Sequence, residues 1–403
     1  MTKLIVQSHL KIRLYRRRIF FIQKKLRCLY QITAHFMILY YYPQWLCIST
    51  WRFFKLFTES LRLFPWRFSS IPRLIIVTLL SVFALLISYL HLSIVFIESV
   101  LFTVFTSLKP YPIVFIVGAP RSGTTRMHKL LAADHKTFSS MKMWELFFAP
   151  AISQKLLLIG LGKIDALFGA PVFKLIQFIE KKAFKNFNRI HELGLFNVEE
   201  DALVLFHLFS SYHLSFLLGK EQSYTHLNYD KGVPKAVWAY YKICVDNHMR
   251  LNQRKTYLSK NPFFSGSSES LITLFKAPKF IYMDRDINQV APSFFSLKKF
   301  LSRVFYGKQP SKMRYKSILK TLLFWREAPI KEDYKSETLK ADFKELTSDP
   351  VRLINKIYRF ASLEQSSEYK EQMKREAQKG KNYKSEHKYS AESIEFMSQQ
   401  FRI

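Results

Sequence analysis

The sequence predicts an α/β fold: an open parallel sheet with a P-loop-like turn, flanked by helices and preceded by an α-helical region suited to a membrane. Three observations predict it. VFIVGAPRSGTTRMHKLLAAD (114–134) reads as a buried strand, a glycine-bracketed turn and a helix. Apolar strand-like runs that lead into helical patterns recur in YLSKNP (257–262) and FIYM (280–283), and such alternation gives a parallel sheet. Residues 74–97 carry no formal charge over 24 positions, and about 20 apolar residues suffice to cross a bilayer.

The 403 residues allow one large domain or two smaller ones, and 49% hydrophobic content supports a sizeable core. Sixty-two Lys and Arg against 30 Asp and Glu leave a net charge of +32, which suits an anionic partner such as a nucleotide, a membrane face or a nucleic acid. The 38 phenylalanines read as core and membrane packing rather than a base-stacking surface, so no nucleic-acid partner is expected. Cys28, Cys47 and Cys244 are scattered and odd in number, with no metal-ligand spacing; a disulfide framework and a cysteine metal site are excluded, and a reducing compartment follows.

Along the chain, residues 1–30 are basic with apolar interruptions and read as an amphipathic helix facing lipid headgroups rather than a cleavable signal peptide. Residues 31–50 are a weaker candidate for a second span, because Pro43 and several polar groups interrupt them. The expected span is 74–97, flanked by Arg62, Arg67 and Arg73, with a buried helical hairpin bent near His91 as the alternative. Lys109-Pro110-Tyr111-Pro112 marks a boundary: 1–109 is a basic, apolar, membrane-associated region and 110–403 an α/β domain. The tail 371–388 is strongly charged.

The turn Gly118–Gly123 aims backbone N–H groups and a helix N-terminus at one point, which favours an anion. Its spacing is nearly G-x-x-x-x-G-K-[ST], but Thr124 holds the lysine position and Arg121 sits inside the turn. In open α/β sheets ligands sit beyond the carboxyl ends of strands. Arg285, at the end of FIYM, and Ser293, eight residues on, should therefore converge with the Arg121 loop as a second phosphate anchor. Lys260 also ends a short apolar run, where its ammonium can neutralise charge developing on a bridging oxygen.

GAPRSGTT after a strand, then LSKNP, then a strand ending in Arg-Asp with a serine eight residues after the arginine: this ordered set resembles the sulfotransferase superfamily, most closely the bacterial branch that often carries an apolar N-terminal extension. The stretches 141–155, 195–211, 339–360 and 387–396 resemble segments of those proteins in the same order, so the resemblance covers roughly residues 110–400. It implies 3′-phosphoadenosine 5′-phosphosulfate (PAPS) as donor, without a metal. It also implies that Arg121, Ser122, Gly123, Thr124 and Thr125 hold the 5′ group, and that Arg285 and Ser293 hold the 3′-phosphate. Arg-Asp-Ile replaces the common Arg-Asp-Pro, and Phe263 and Phe264 stand where many relatives carry a histidine base. The base must come from elsewhere: Glu145 in KMWEL is the first candidate, followed by His191, Glu199 and Glu200, with Glu192 in the same cluster. These acids could equally cap helices. His128, His207 and His213 read as core or interface residues.

The leading expectation is thus sulfuryl transfer from PAPS to a hydroxyl of a lipid, glycan or small molecule, with product PAP (3′-phosphoadenosine 5′-phosphate). The alternative is a P-loop kinase or NTPase acting on a membrane-associated substrate; Thr124 and the want of an evident Asp-ended strand for Mg²⁺ speak against it. A non-enzymatic basic membrane protein fits the charge but not the Arg121 loop. A single span with a basic N-terminal flank would put the domain outside the cytosol. The bacterial resemblance, in which PAPS is cytosolic, instead implies a domain on the cytoplasmic side of the inner membrane, through two spans or a hairpin that does not cross; a Golgi lumen is the eukaryotic counterpart.

Overall fold

In the computed structural model, the described residues are 37–59, 61, 71–105, 108–183, 194–214, 232–306, 312–328 and 337–380. The basic stretch 1–30, His191 and Glu192, and the 387–396 stretch lie outside them. Two helices come first, α1 (residues 37–59) and α2 (Ile71–Phe105). Then follow β1 (Ile113–Val117), α3 (Thr124–Ala132), β2 (Phe138–Ser139), α4 (Met143–Phe148), α5 (Ile152–Leu167) and α6 (Pro171–Ala183). A 3₁₀ helix at Asp201–Leu208 precedes α7 (Lys235–Leu251), β3 (Thr256–Lys260), α8 (Ser268–Leu274) and β4 (Lys279–Asp284). The described chain closes with α9 (Ile287–Tyr306), α10 (Lys312–Glu327), β5 (Thr338–Asp342), α11 (Phe343–Ser348), α12 (Pro350–Phe360) and α13 (Ser367–Gly380).

The five strands form one parallel sheet in the order β2-β3-β1-β4-β5. Every residue of β1 and β3 is buried, and β1 accordingly reads as an unbroken apolar run, whereas β3 carries Ser259 and Lys260 at its buried carboxyl end. The pleat divides β1 between two cores. Val114 and Ile116 pack with Met127 and Leu131 of α3 and Leu353 and Ile357 of α12. Ile113, Phe115 and Val117 face the larger core, with Tyr241 and Val245 of α7 and Phe294 of α9. The Asp134 carboxylate takes the Tyr358 hydroxyl at 2.7 Å and the Ser366 hydroxyl at 3.1 Å, tying the end of α3 to α12 and α13.

The N-terminal helices belong to the same packing. Trp45 of α1 is fully buried and donates its indole N–H to Ala236 O at 2.7 Å. Leu92 and Val95 of α2 join the same core as Phe115. The two helices hold each other through the Tyr42–Ser93 and Thr50–Tyr89 hydroxyl pairs and a stacked Tyr42–Phe96 pair. Among the described residues one helix is long and apolar enough by itself to cross a bilayer, over Thr78–Leu101, four residues on from the expected 74–97. Its first half is exposed on nearly every side, whereas Ser88, His91, Leu92 and Val95 are buried.

Beneath the sheet's larger core, Asp201 accepts the Tyr241 and Tyr257 hydroxyls at 2.6 and 2.9 Å. Burial pushes this carboxyl up to about 6, against the pull of those hydrogen bonds. A group whose folded pKa lies above its unfolded one destabilises the fold as pH rises between the two values.

Two outcomes are expected. Trp45→Ala should cost about 3–5 kcal/mol, by cavity formation and a lost hydrogen bond, in denaturant titration of the full chain in detergent micelles; a loss under about 1 kcal/mol would show that α1 is not part of the core. For Asp201, the Tm should fall between pH 4 and 6 through this group, and Asp201→Asn should flatten that part of the Tm–pH curve. An unchanged curve would mean that the buried carboxyl does not titrate there.

Candidate active site

The sheet register builds the site. Lys260, the last residue of β3, pairs with Ile116 of β1, two positions before Gly118. Tyr282 of β4 pairs with Val117, so Arg285 emerges beside the same loop. Lys260, the 118–123 turn and Arg285 thus leave three adjacent strands at their carboxyl ends, as expected for a parallel α/β sheet.

The turn is held by sterics and by its neighbours. Gly118 adopts φ 132°, and a Cβ there would lie 2.5 Å from Met283 O, so β4 can approach this closely only past a glycine. Gly123 adopts φ 97°, with Phe343 2.7 Å from where its Cβ would be. Gly118 N–H donates to Ser265 Oγ at 2.8 Å, and Ser265 donates to Pro262 O, so the turn that follows Lys260 also anchors the loop. Arg121 holds a left-handed φ of 72°, a costly conformation for a side-chain-bearing residue. Its Nε donates to Ser293 Oγ at 3.0 Å, and its carbonyl accepts from Arg285 Nη1 at 3.0 Å. Arg285 stacks 4.0 Å over the Phe343 ring and reaches Gln289. Arg121 is thus brought into contact with Arg285 and Ser293, 164 and 172 residues on. Ser122 and Thr124 are buried and Thr125 half-buried at the start of α3.

A second cluster lies at Lys260. Its buried ammonium donates to Glu200 Oε1 at 2.6 Å, and Glu200 Oε2 meets His213 Nε2 at 2.7 Å. His213 Nδ1 reaches Ser211 Oγ. Burial pushes the Glu200 carboxyl up, but the Lys260 charge and the His213 contact hold it well below the usual carboxylate range. His128, on α3, feels burial and then the Lys260 charge; both lower it, to about 3, so it is neutral and links Ser140 to the helix. His213, read from the sequence as a core residue, belongs to this cluster. Phe209, in a left-handed conformation (φ 46°), ends the 3₁₀ helix and turns His213 back toward Glu200, and no local pattern announces that.

Glu145 sits elsewhere. Its Oε2 accepts Lys142 N–H at 2.8 Å, closing the first turn of α4, while Oε1 takes Lys155 Nζ at 2.7 Å and His248 Nδ1 at 2.8 Å. Burial raises this carboxyl, and His248 and Lys155 more than offset it, holding it far below its ordinary value. Glu199 is buried, with its amide on Met141 O. The 194–199 segment runs against 141–144 through the Met143–Asn197 and Trp144–Leu195 backbone bonds. Two strands do end in aspartate, contrary to the sequence reading: Asp284 pairs with Lys340 at 2.7 Å, and Asp342 caps α11 through Lys344 N–H.

The cluster suits a polyanion. Cationic Arg121, Arg285 and Lys260 stand at the carboxyl ends of adjacent strands, and two buried polar atoms, Ser122 Oγ and Asn261 Nδ2, have no protein partner among the described residues.

The profile of a family described as "Sulfotransferase family" matches residues 112–367. Comparison with curated proteins gives no match. Among solved structures, the sulfotransferase STF9 from Mycobacterium avium superposes with a TM-score of 0.59 at 14% identity, covering 78% of this chain and 82% of that one. The sulfotransferase STF1 from Mycobacterium tuberculosis H37Rv gives 0.54 at 17% identity, covering 73% and 77%. At such identities the likeness is one of fold. The family match spans more than half the chain and takes in the loop, Lys260, Arg285 and Ser293 alike, so this protein belongs to the sulfotransferase family.

Proposed function

We propose that this chain transfers a sulfuryl group from PAPS to a hydroxyl of an acceptor drawn from the membrane, with the helices before residue 110 as a membrane-associated region. The convergence of the Arg121 loop with Arg285 and Ser293, one strand from Lys260, carries this reading. The donor, when bound, supplies an activated sulfuryl group on a phosphate leaving group. Arg121, Ser122, Gly123, Thr124 and Thr125 would hold its 5′ side, with backbone N–H groups and the α3 N-terminus adding positive potential. Arg285 and Ser293 would hold the 3′-phosphate. Lys260 stabilises the negative charge left on the departing oxygen.

Glu200 is the better-placed base. It lies on Lys260, whereas Glu145 points into the α4–α5 junction and is committed to Lys155 and His248. Charge shared by Lys260 with a leaving oxygen is withdrawn from Glu200. Burial then acts on Glu200 with less opposition, and its affinity for a proton rises. Oε1 or Oε2 of Glu200 takes the acceptor proton as the new S–O bond forms and the donor S–O bond breaks. His213 orients the carboxylate. Glu199 is a neighbour on the same segment, and His191 remains a proposal from the sequence. The cytosolic supply of donor in bacteria favours a domain on the cytoplasmic side of an inner membrane, with the N-terminal helices forming two spans or a hairpin that does not cross.

Two outcomes test this. In calorimetric titration of the full chain without Mg²⁺, PAP should bind, and Arg285→Ala or Arg121→Ala should weaken binding tenfold or more, about 1.4 kcal/mol; preference for ATP with Mg²⁺ would overturn the donor assignment. With radiolabelled PAPS and a total membrane lipid extract, Glu200→Gln and Lys260→Met should each lower turnover by roughly 10²–10⁴ while PAP affinity stays within a few-fold. Glu145→Gln should lower Tm and leave turnover of the folded protein near wild type; the opposite pattern would return the base to Glu145.

A further inference from the structure

The α5–α6 pair stands out from the catalytic fold. From Leu156 to Gly169, every residue except Gly160 and Asp165 is exposed. The exposed set includes four consecutive apolar residues, Leu156, Leu157, Leu158 and Ile159, and at the tip Leu167 and Phe168 are 83% and 78% exposed. Most of α6 is exposed too, including Val172, Leu175, Phe178 and Ile179. Leaving such side chains in water forgoes about 1.5–3 kcal/mol each. A protein groove covers one face of a helix. Exposure of apolar residues around the whole circumference calls for a solvent that surrounds the helix, which is lipid.

The amides of the tip meet the condition lipid imposes on backbone donors, that they be satisfied internally. The amides of Phe168 and Ala170 donate to Asp165 O, and that of Gly169 to Ala166 O. Those of Val172 and Phe173 donate to the two Asp165 carboxylate oxygens at 2.9 and 3.0 Å, and that of Lys174 to Ala170 O. Position 171 is proline and has no N–H. Every amide from 168 to 174 is accounted for within the turn.

Charge and attachment agree. The acids of the pair, Asp165 and Glu180, are both engaged by backbone amides, Glu180 by Leu195 N–H at 2.6 Å. Lys163, Lys174, Lys181 and Lys182 are exposed, a distribution that suits anionic headgroups. At its start α5 is fixed to α2: Glu98 takes the Ile152 and Ser153 amides at 2.6 Å each, and His91 meets Gln154. The helices meet at a bend of 105°, so the chain leaves from α2 and α4 and returns to the 194–200 segment that holds Glu200. Since α5 is about 24 Å long and a leaflet's hydrocarbon only about 15 Å deep, the bent pair fits one leaflet with α5 tilted away from the membrane normal.

We propose that the α5–α6 pair inserts into the bilayer leaflet beside α2 and feeds a lipid-dissolved acceptor to Glu200 and Lys260. The insertion stands on the exposure and the satisfied tip; the delivery rests on the function proposed above. The test uses the full chain with Cys28→Ser and Cys47→Ser, one added cysteine at Leu157, Leu167 or, as a control on α12, Arg352, each carrying a polarity-sensitive fluorophore. The protein is reconstituted into vesicles of phosphatidylethanolamine and phosphatidylglycerol. Emission at 157 and 167 should shift to the blue, be quenched by lipids spin-labelled on the acyl chain, and escape iodide; the 352 label should do the reverse. Iodide quenching at 157 and 167 would overturn the proposal. Shielding from iodide without quenching by lipid would overturn it equally, by assigning the face to a second copy of the chain. PAP titration of the same samples reads the donor site separately, so loss of that reading would leave the depth result standing.

Discussion

The buried pair between Lys260 and Glu200 is the contact on which the arrangement of this protein turns. One partner ends a central strand and the other starts the 3₁₀ helix, so a single 2.6 Å contact joins the sheet to the segment that closes over it. Taking both charges out of water is costly, and removing one partner of such a pair typically costs about 3–5 kcal/mol. The fold meets that cost with further contacts: His213 on the second Glu200 oxygen, and Asp201 next door clamped by Tyr241 and Tyr257. The cations of the site differ in their contacts accordingly. Arg121 donates to the Ser293 hydroxyl and Arg285 to Gln289 and a backbone carbonyl, whereas Lys260 donates to a carboxylate.

The second constraint is steric. The 118–123 loop can lie against β4 because residue 118 has no side chain, and α3 can start against Phe343 because residue 123 has none. Phe343 then serves twice, as the wall behind Gly123 and as the surface under the Arg285 guanidinium. Loop, arginine and α11 are thereby fixed relative to one another by one ring, although they come from three separate parts of the chain.

The sheet and the anion loop were legible because their signals are local: unbroken apolar runs for strands buried on both faces, and glycines at the two positions where a Cβ collides. Arg285 and Ser293 were legible once a resemblance supplied their order. Glu200 was visible only as one acid in a cluster, since nothing in RIHELGLFNVEED says which carboxylate meets a lysine sixty residues on. His213 was missed because a left-handed Phe209 brings it back, and single positive-φ residues other than glycine leave no sequence pattern. The aspartates ending β4 and β5 were overlooked because an acid where a strand gives way to the next element reads as a turn or cap residue, as Asp342 is for α11. The exposure of α5 and α6 was equally hidden, because nothing in ISQKLLLIGLGKIDAL says whether protein or another solvent covers its leucines.

Trp45 reaches across the molecule to Ala236, a separation of 191 residues. At about 5–20 residues per second, the helices made first wait roughly 10–40 s for the surface they will cover. A tryptophan and a row of leucines exposed for that long invite aggregation in water. In a membrane they would be sheltered, and the catalytic fold would assemble against a pair of helices already in place. The order of synthesis and the order of packing would then run together, with a bilayer sheltering the part of the core that emerges first.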